Sequence, residues 1–177
     1  MKLSKIILLI STLAMAGFAS AENKQEAPTY TNGAVTMVWQ NPDDYRDVRA
    51  ASELQSRYQE RAFRVISKEF SKQVEKILSA GQTLEITVSD LDLAGDVKPT
   101  FGEFGSDNIR IVESLYPPAI KFDFKLLENG KVIASGKEEL RDLGFDHRIR
   151  RAGSGQNKFY FETRMLMAWA NNTFKAN

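Results

Sequence analysis

The sequence predicts an α+β fold, a mainly antiparallel sheet of about four to five strands packed against a long N-terminal helix and a C-terminal helix. Three observations predict it. Apolar residues recur at helical spacing from Leu54 to Leu78; apolar and polar residues alternate over 84–89 and again over 120–126; helical spacing returns over Phe159 to Phe174. No internal repeat or second set of elements follows. One sheet covered on one face by two helices buries every apolar face the chain offers.

The chain opens with the three parts of a secretory signal peptide, so residues 1–21 are expected to be removed on export. Lys2 and Lys5 form the positive region, Ile6 to Ala16 the apolar one, and Ala19-Ser20-Ala21 the small-residue cleavage site that leaves Glu22 as the mature terminus. The apolar run is too short for a bilayer core that takes roughly 20 residues to cross. Residues 22–33 are polar, carry Pro28 and show no period, which reads as a flexible leader. A single α+β domain is expected over 34–177.

Within that domain, Ala34 to Trp39 is β-branched and aromatic enough for a first strand, ended by the turn cluster Asn41-Pro42-Asp43-Asp44. The long helix starts from Ser52 as N-cap, presents Leu54, Tyr58, Ala62, Val65, Ile66, Phe70, Val74, Ile77 and Leu78 on one face, and stops at Gly81. Leu84, Ile86 and Val88 then alternate with polar residues. After Asp90 the apolar positions move to Leu91 and Leu93, and such a change of phase marks a bulge or a strand end.

Residues 95–108, with three glycines and a proline, read as a loop that buries Phe101 and Phe104, followed by a short strand over Ile109 to Val112. Ile120, Phe122, Phe124 and Leu126 form one face of a strand, Asn129-Gly130 is a hairpin turn, and Lys131 to Leu140 is the return strand. The tail with Met165, Leu166 and Trp169 closes the domain as an amphipathic helix.

Composition excludes several function classes. The chain has no cysteine, which rules out disulfides, thiolate metal sites, cysteine nucleophiles and the lipid acceptor of a lipoprotein. The formal charge is +1 for the whole chain and becomes −1 once Lys2 and Lys5 leave. A balanced charge argues against nucleic acid or an anionic membrane as the bulk partner. No membrane span or lipid anchor is expected.

Two longer strings carry a resemblance. LEITVSDLDLAGDVKP, Leu84 to Pro99, and YPPAIKFDFKLLENGKVIASGKEELRDLGF, Tyr116 to Phe145, resemble the signature stretches of the bacterial domain of unknown function 3016 family. Asn41 to Asp47 is similar to that family's entry segment, and the Trp169 helix to its C-terminal one. Matching positions are Asp90, Asp92, Gly95, Pro117, Pro118, Gly130, Gly136, Leu140, Asp142 and Leu143. The resemblance implies export and a single domain, and it carries over no catalytic residue.

The residues with chemistry to offer are few. Asp90, Asp92 and Asp96 are three carboxylates at a strand end, suited to a hard cation, but their spacing is not a calcium loop, and Asp90 and Asp92 read first as turn caps that bond to backbone amides. His147, the only histidine, lies among arginines with no nucleophile elbow nearby, and reads as a surface side chain. Arg148, Arg150 and Arg151, with Arg141 and the glycines around Ser154, could hold an anion or form a solvated face. Trp39 and Trp169 read as core.

No set of nucleophile, base and orienter is complete, which favours a non-enzymatic, exported binding or envelope-accessory module, periplasmic or secreted. Its partner would be an envelope protein or a small ligand, met by Asp90, Asp92, Asp142, Arg148, Arg150 and Arg151 in the loops over 90–107 and 141–155. No catalytic residue, metal or cofactor is assigned. Two alternatives stay open: a metal-assisted hydrolase using Asp90 and Asp92, joined by Asp142, and an assembly component that pairs through a sheet edge.

Overall fold

The computed structural model describes residues 26–102, 105–147 and 158–175. It is an α+β structure whose main sheet has five strands, in the spatial order β1 (Thr29–Asn32), β2 (Val35–Trp39), β3 (Gln82–Asp92), β6 (Ala119–Glu128) and β7 (Lys131–Arg141), with two helices packed on one face. A second, two-stranded sheet is formed by β4 (Asp96–Gly102) and β5 (Gly105–Ile111). The helices are α1 (Gln55–Val74) and α2 (Tyr160–Phe174).

Two expectations about this architecture are corrected. The sheet is mixed, because β2 and β3 run parallel, with Val35 opposite Leu84 and Trp39 opposite Val88. The reason lies in the connection: α1 carries the chain back to the end where β2 began, so the next strand must run the same way as its neighbour. The helix is also shorter than the Ser52-to-Gly81 span that its apolar spacing suggests. It begins after Leu54 and ends at Val74, whose carbonyl accepts the N–H groups of Ile77 and Leu78 and winds the chain out of the helix. Ile77 and Leu78 still pack on the core from that turn, which is why the period continues past the helix.

Two further differences concern the segments read as irregular. Thr29–Asn32, within the expected leader, pairs antiparallel with β2 as an edge strand. The expected loop over 95–108 is the β4–β5 hairpin. Phe101 is not buried but 86% exposed; Phe104 lies outside the described residues, as do the signal-peptide segment, Arg148, Arg150 and Arg151.

The remaining elements follow the residue pattern. Leu84, Ile86 and Val88 enter the core, the register shifts between Val88 and Asp90, and Leu91 takes up the inward position beyond the bulge. Across from them, Ile120, Phe122, Phe124 and Leu126 are buried, while Asp123 and Lys125 lie exposed on the other face. Asn129 and Gly130 both have positive φ, 48° and 78°, which gives the two-residue turn its right-handed match to the paired strands. Phe63 of α1 stacks on Trp39 at 4.5 Å, and Trp169 of α2 meets Phe122 and Phe124 edge to face at 4.8 and 5.1 Å. Trp39 Nε1 donates to Ser67 Oγ at 3.2 Å, so its one polar atom is satisfied inside the core.

Candidate functional site

The segment after β2 builds the site. Beyond Trp39 the chain makes a 3-10 turn over Pro42–Asp44 and then rejoins the far end of β3. Asp47 N–H donates to the Leu91 carbonyl and Leu93 N–H to the Asp47 carbonyl, a parallel bridge that continues the pairing of β2 with β3 past the bulge. This places Asp47 beside Asp92. Arg46-Asp47-Val48-Arg49 therefore presents two guanidinium groups and a carboxylate to the acidic end of β3.

The result is an alternating lattice of aspartates and arginines. Arg46 Nη2 donates to Asp90 Oδ2 at 3.2 Å, its backbone N–H donates to Asp90 Oδ1 at 3.0 Å, and its Nη1 lies 3.6 Å from Asp92. Arg49 bridges Asp47 at 2.8 Å and Asp96 at 2.7 Å. Arg110 of β5 reaches Asp47 at 2.9 Å and also donates to the carbonyls of Gly95 and Arg49. Arg141, at the end of β7, stands 4.0 Å from Asp92.

Electrostatics follow from burial and neighbours. Loss of water pushes the Asp92 carboxyl above its ordinary value, with Asp47 and Asp90 adding to the push and Arg46 and Arg141 opposing it. Arg49 is held more firmly protonated by its hydrogen bond to Asp47. Arg110 is also raised: its burial opposes the charge, but Asp47 and Tyr58 outweigh that cost. A cleft of about 280 Å³ opens over this lattice, lined by Arg49, Asp92, Asp96, Tyr116, Pro117 and Arg141.

The predicted site residues separate. Asp90 and Asp92 lie together in the lattice, and Asp90 binds a backbone amide as a turn-capping carboxylate would. Asp142 points elsewhere, to Arg164 of α2 at 2.6 Å, with the same Arg164 nitrogen also near the Phe145 carbonyl. His147 is largely exposed beside Asp146, whose carboxylate accepts the Ser114 hydroxyl. Among the described residues, no group of three acidic or histidine side chains is placed to hold a metal ion. Guanidinium groups stand between the carboxylates that the metal reading would bring together.

Sequence reasoning misses Arg46, Asp47, Arg49 and Arg110. The alternation of charge in residues 46–49 is a local signal, but only the return of the chain to β3 shows what it faces. Arg110 is some 60 positions from Asp47 and carries no such signal. Behind the lattice, Arg110 also lines a cleft of about 450 Å³ between the starts of α1 and α2 and the β4–β5 hairpin, with Tyr58, Arg61, Asn108, Lys158 and Tyr160. Arg61 in that cleft is paired bidentately with Glu53. A larger cleft, about 620 Å³, lies against Tyr30, Pro42, Asp44, Gln59 and Phe63 and shares no residue with the lattice.

No helix among the described residues is long and apolar enough to cross a membrane. No curated protein and no solved structure matches the chain. A family model does match, over residues 33–172, which takes in both helices' core faces, the lattice and the hairpin alike. On that match the chain belongs to the family described as protein of unknown function DUF3016.

Proposed function

We propose that this protein is an exported, non-enzymatic binding module of the cell envelope that presents the β4–β5 hairpin as a recognition arm. The observation that carries the reading is the arm itself: a two-stranded sheet apart from the main one, anchored at its root by Arg110 and Arg49, with Phe101 exposed on its outer part. An isolated two-stranded ribbon is marginal in water, and an exposed phenylalanine on it has no role in the protein's own core. Leu115, 74% exposed just past the arm, extends the apolar surface. Asp92, Asp96 and Arg141 line the cleft at its root, where a polar partner group would be met. The support for export is the ordering of Lys2, Lys5, the apolar run and Ala19-Ser20-Ala21.

The test is retention of envelope components by the mature chain and by Phe101→Ser in parallel. The reading expects a component retained by the first and lost by the second, with the melting temperature unchanged because Phe101 leaves no core contact behind. Equal retention by the two would count against the arm. An assembly role is the second reading, favoured by β7, an 11-residue strand at one edge of the sheet with Val132 and Ile133 half exposed. Light scattering that returns the monomer mass at every concentration would remove it.

A further inference from the structure

Glu162 is the most deeply buried acidic side chain among the described residues, 2% exposed in the first turn of α2. Its Oε1 accepts the Ala94 N–H at 2.8 Å. Its Oε2 is buried with no hydrogen-bond partner. Ala94 lies between the end of β3 and the start of β4 and packs in a buried cluster with Phe145 and Phe161, so this hydrogen bond joins that apolar contact in tying α2 to the root of the arm. No lysine or arginine forms an ion pair with Glu162 among the described residues; a guanidinium that bears on it, Arg110, spends its terminal nitrogens on Asp47 and the carbonyls of Gly95 and Arg49. A carboxylate in that position would keep a full charge out of water with only backbone amides, those of Ala94 and of Glu162 itself, to offset it, whereas the neutral acid loses far less.

We propose that the Glu162–Ala94 contact is a proton-controlled clamp on the arm: neutral Glu162 holds the arm's root against α2, and ionised Glu162 releases it. The groups that face Glu162 come from three elements. Arg110 on β5 favours ionisation, Asp92 on β3 opposes it, and Tyr58 on α1 is itself held neutral by burial. Asp47 stands behind Arg110 and takes up its charge. Burial outweighs the backbone amides of Ala94 and Glu162 and the charge of Arg110, and raises the Glu162 carboxyl above its ordinary 4.5. The sign follows. A raised folded-state value means the clamp contributes fully below pH 4.5 and is lost as the pH climbs through the raised value. Acid tightens the arm and alkali loosens it.

Two measurements on the full mature chain test this. The first is the ¹³C shift of the Glu162 side-chain carboxyl followed across pH, expected to titrate with a midpoint above 4.5. The second is hydrogen exchange of the arm amides from pH 5 to 9, corrected for intrinsic exchange, in wild type and Glu162→Gln. The wild-type arm is expected to open more readily by up to about tenfold for each unit of pH between 4.5 and the midpoint and to level off above it, and the glutamine variant, which cannot ionise, to give a flat profile. A carboxyl midpoint at or below 4.5 overturns the proposal, and so do identical exchange profiles in the two proteins. Should Glu162→Gln fail to fold, the carbon titration of the wild type decides alone. Neither result depends on whether the arm has a binding partner.

Discussion

At the scale of single residues, Arg110 does the most to join one part of the molecule to another. Its side chain is 16% exposed and that of Asp47, its partner, 11%. Breaking a partly buried pair by removing one member leaves the other charge short of compensation. Arg110→Met should therefore destabilise the fold by about 3 kcal/mol, the low end of that effect, because Arg49 stays on Asp47. Adding Asp47→Asn should recover part of the loss, and chemical denaturation of the two single variants and the double one measures the coupling. A simple sum of the single effects would mean that the pair carries no interaction. Asp90 and Asp92 were legible in the sequence as a functional-looking pair because they are two positions apart. The arginines around them were not, because Arg46 meets Asp90 and Asp92, and Arg49 meets Asp96, only by way of a parallel bridge over 40 residues away in the chain, and Arg110 reaches Asp47 through a hairpin that reads as a loop.

At the scale of elements, two glycines separate conformational cost from steric cost. Gly95 (φ 84°) and Gly130 (φ 78°) both sit in the left-handed region. A Cβ on Gly130 would meet nothing within 4 Å, whereas one on Gly95 would lie 2.3 Å from the Ile111 carbonyl oxygen. Gly130→Ala should cost about 1 to 2 kcal/mol, the strain of the backbone alone. Gly95→Ala carries the same strain and in addition must push β5 off the arm's root, so its thermal midpoint should fall clearly further. Equal midpoints would show that the root is not closely packed. Elements with local signals were legible: the Asn129-Gly130 hairpin, the phase change that became the bulge after Val88, and α2. The parallel pairing of β2 with β3 was not, since alternation within a strand says which face is buried and nothing about the direction of its neighbour. The arm was missed because Pro99 and the glycines read as punctuation, although a two-stranded ribbon outside the main sheet tolerates both.

At the scale of the whole molecule, the two sheets have different means of support. The main sheet is held by its helices, with Trp39, Phe63, Phe70, Phe122 and Trp169 all buried in one cluster. The arm lies outside that cluster and relies on its own ladder, on the Asp–Arg lattice and, at its root, on Glu162 of α2 and the packing of Ala94 with Phe161. Stability should therefore be uneven, greatest in β3 and β6 and least in the outer arm. The central claim is that the arm is a ribbon fastened at one end to an independently stable base. Native-state hydrogen exchange resolved to single amides tests it most directly. The account expects the β4–β5 amides beyond Lys98 and Ile109 to exchange by local opening, at free energies well below those of Ile86, Phe122 and Phe124 in the main sheet. Exchange of the arm and the main sheet as one cooperative unit, with the same free energy and the same denaturant dependence, would contradict it.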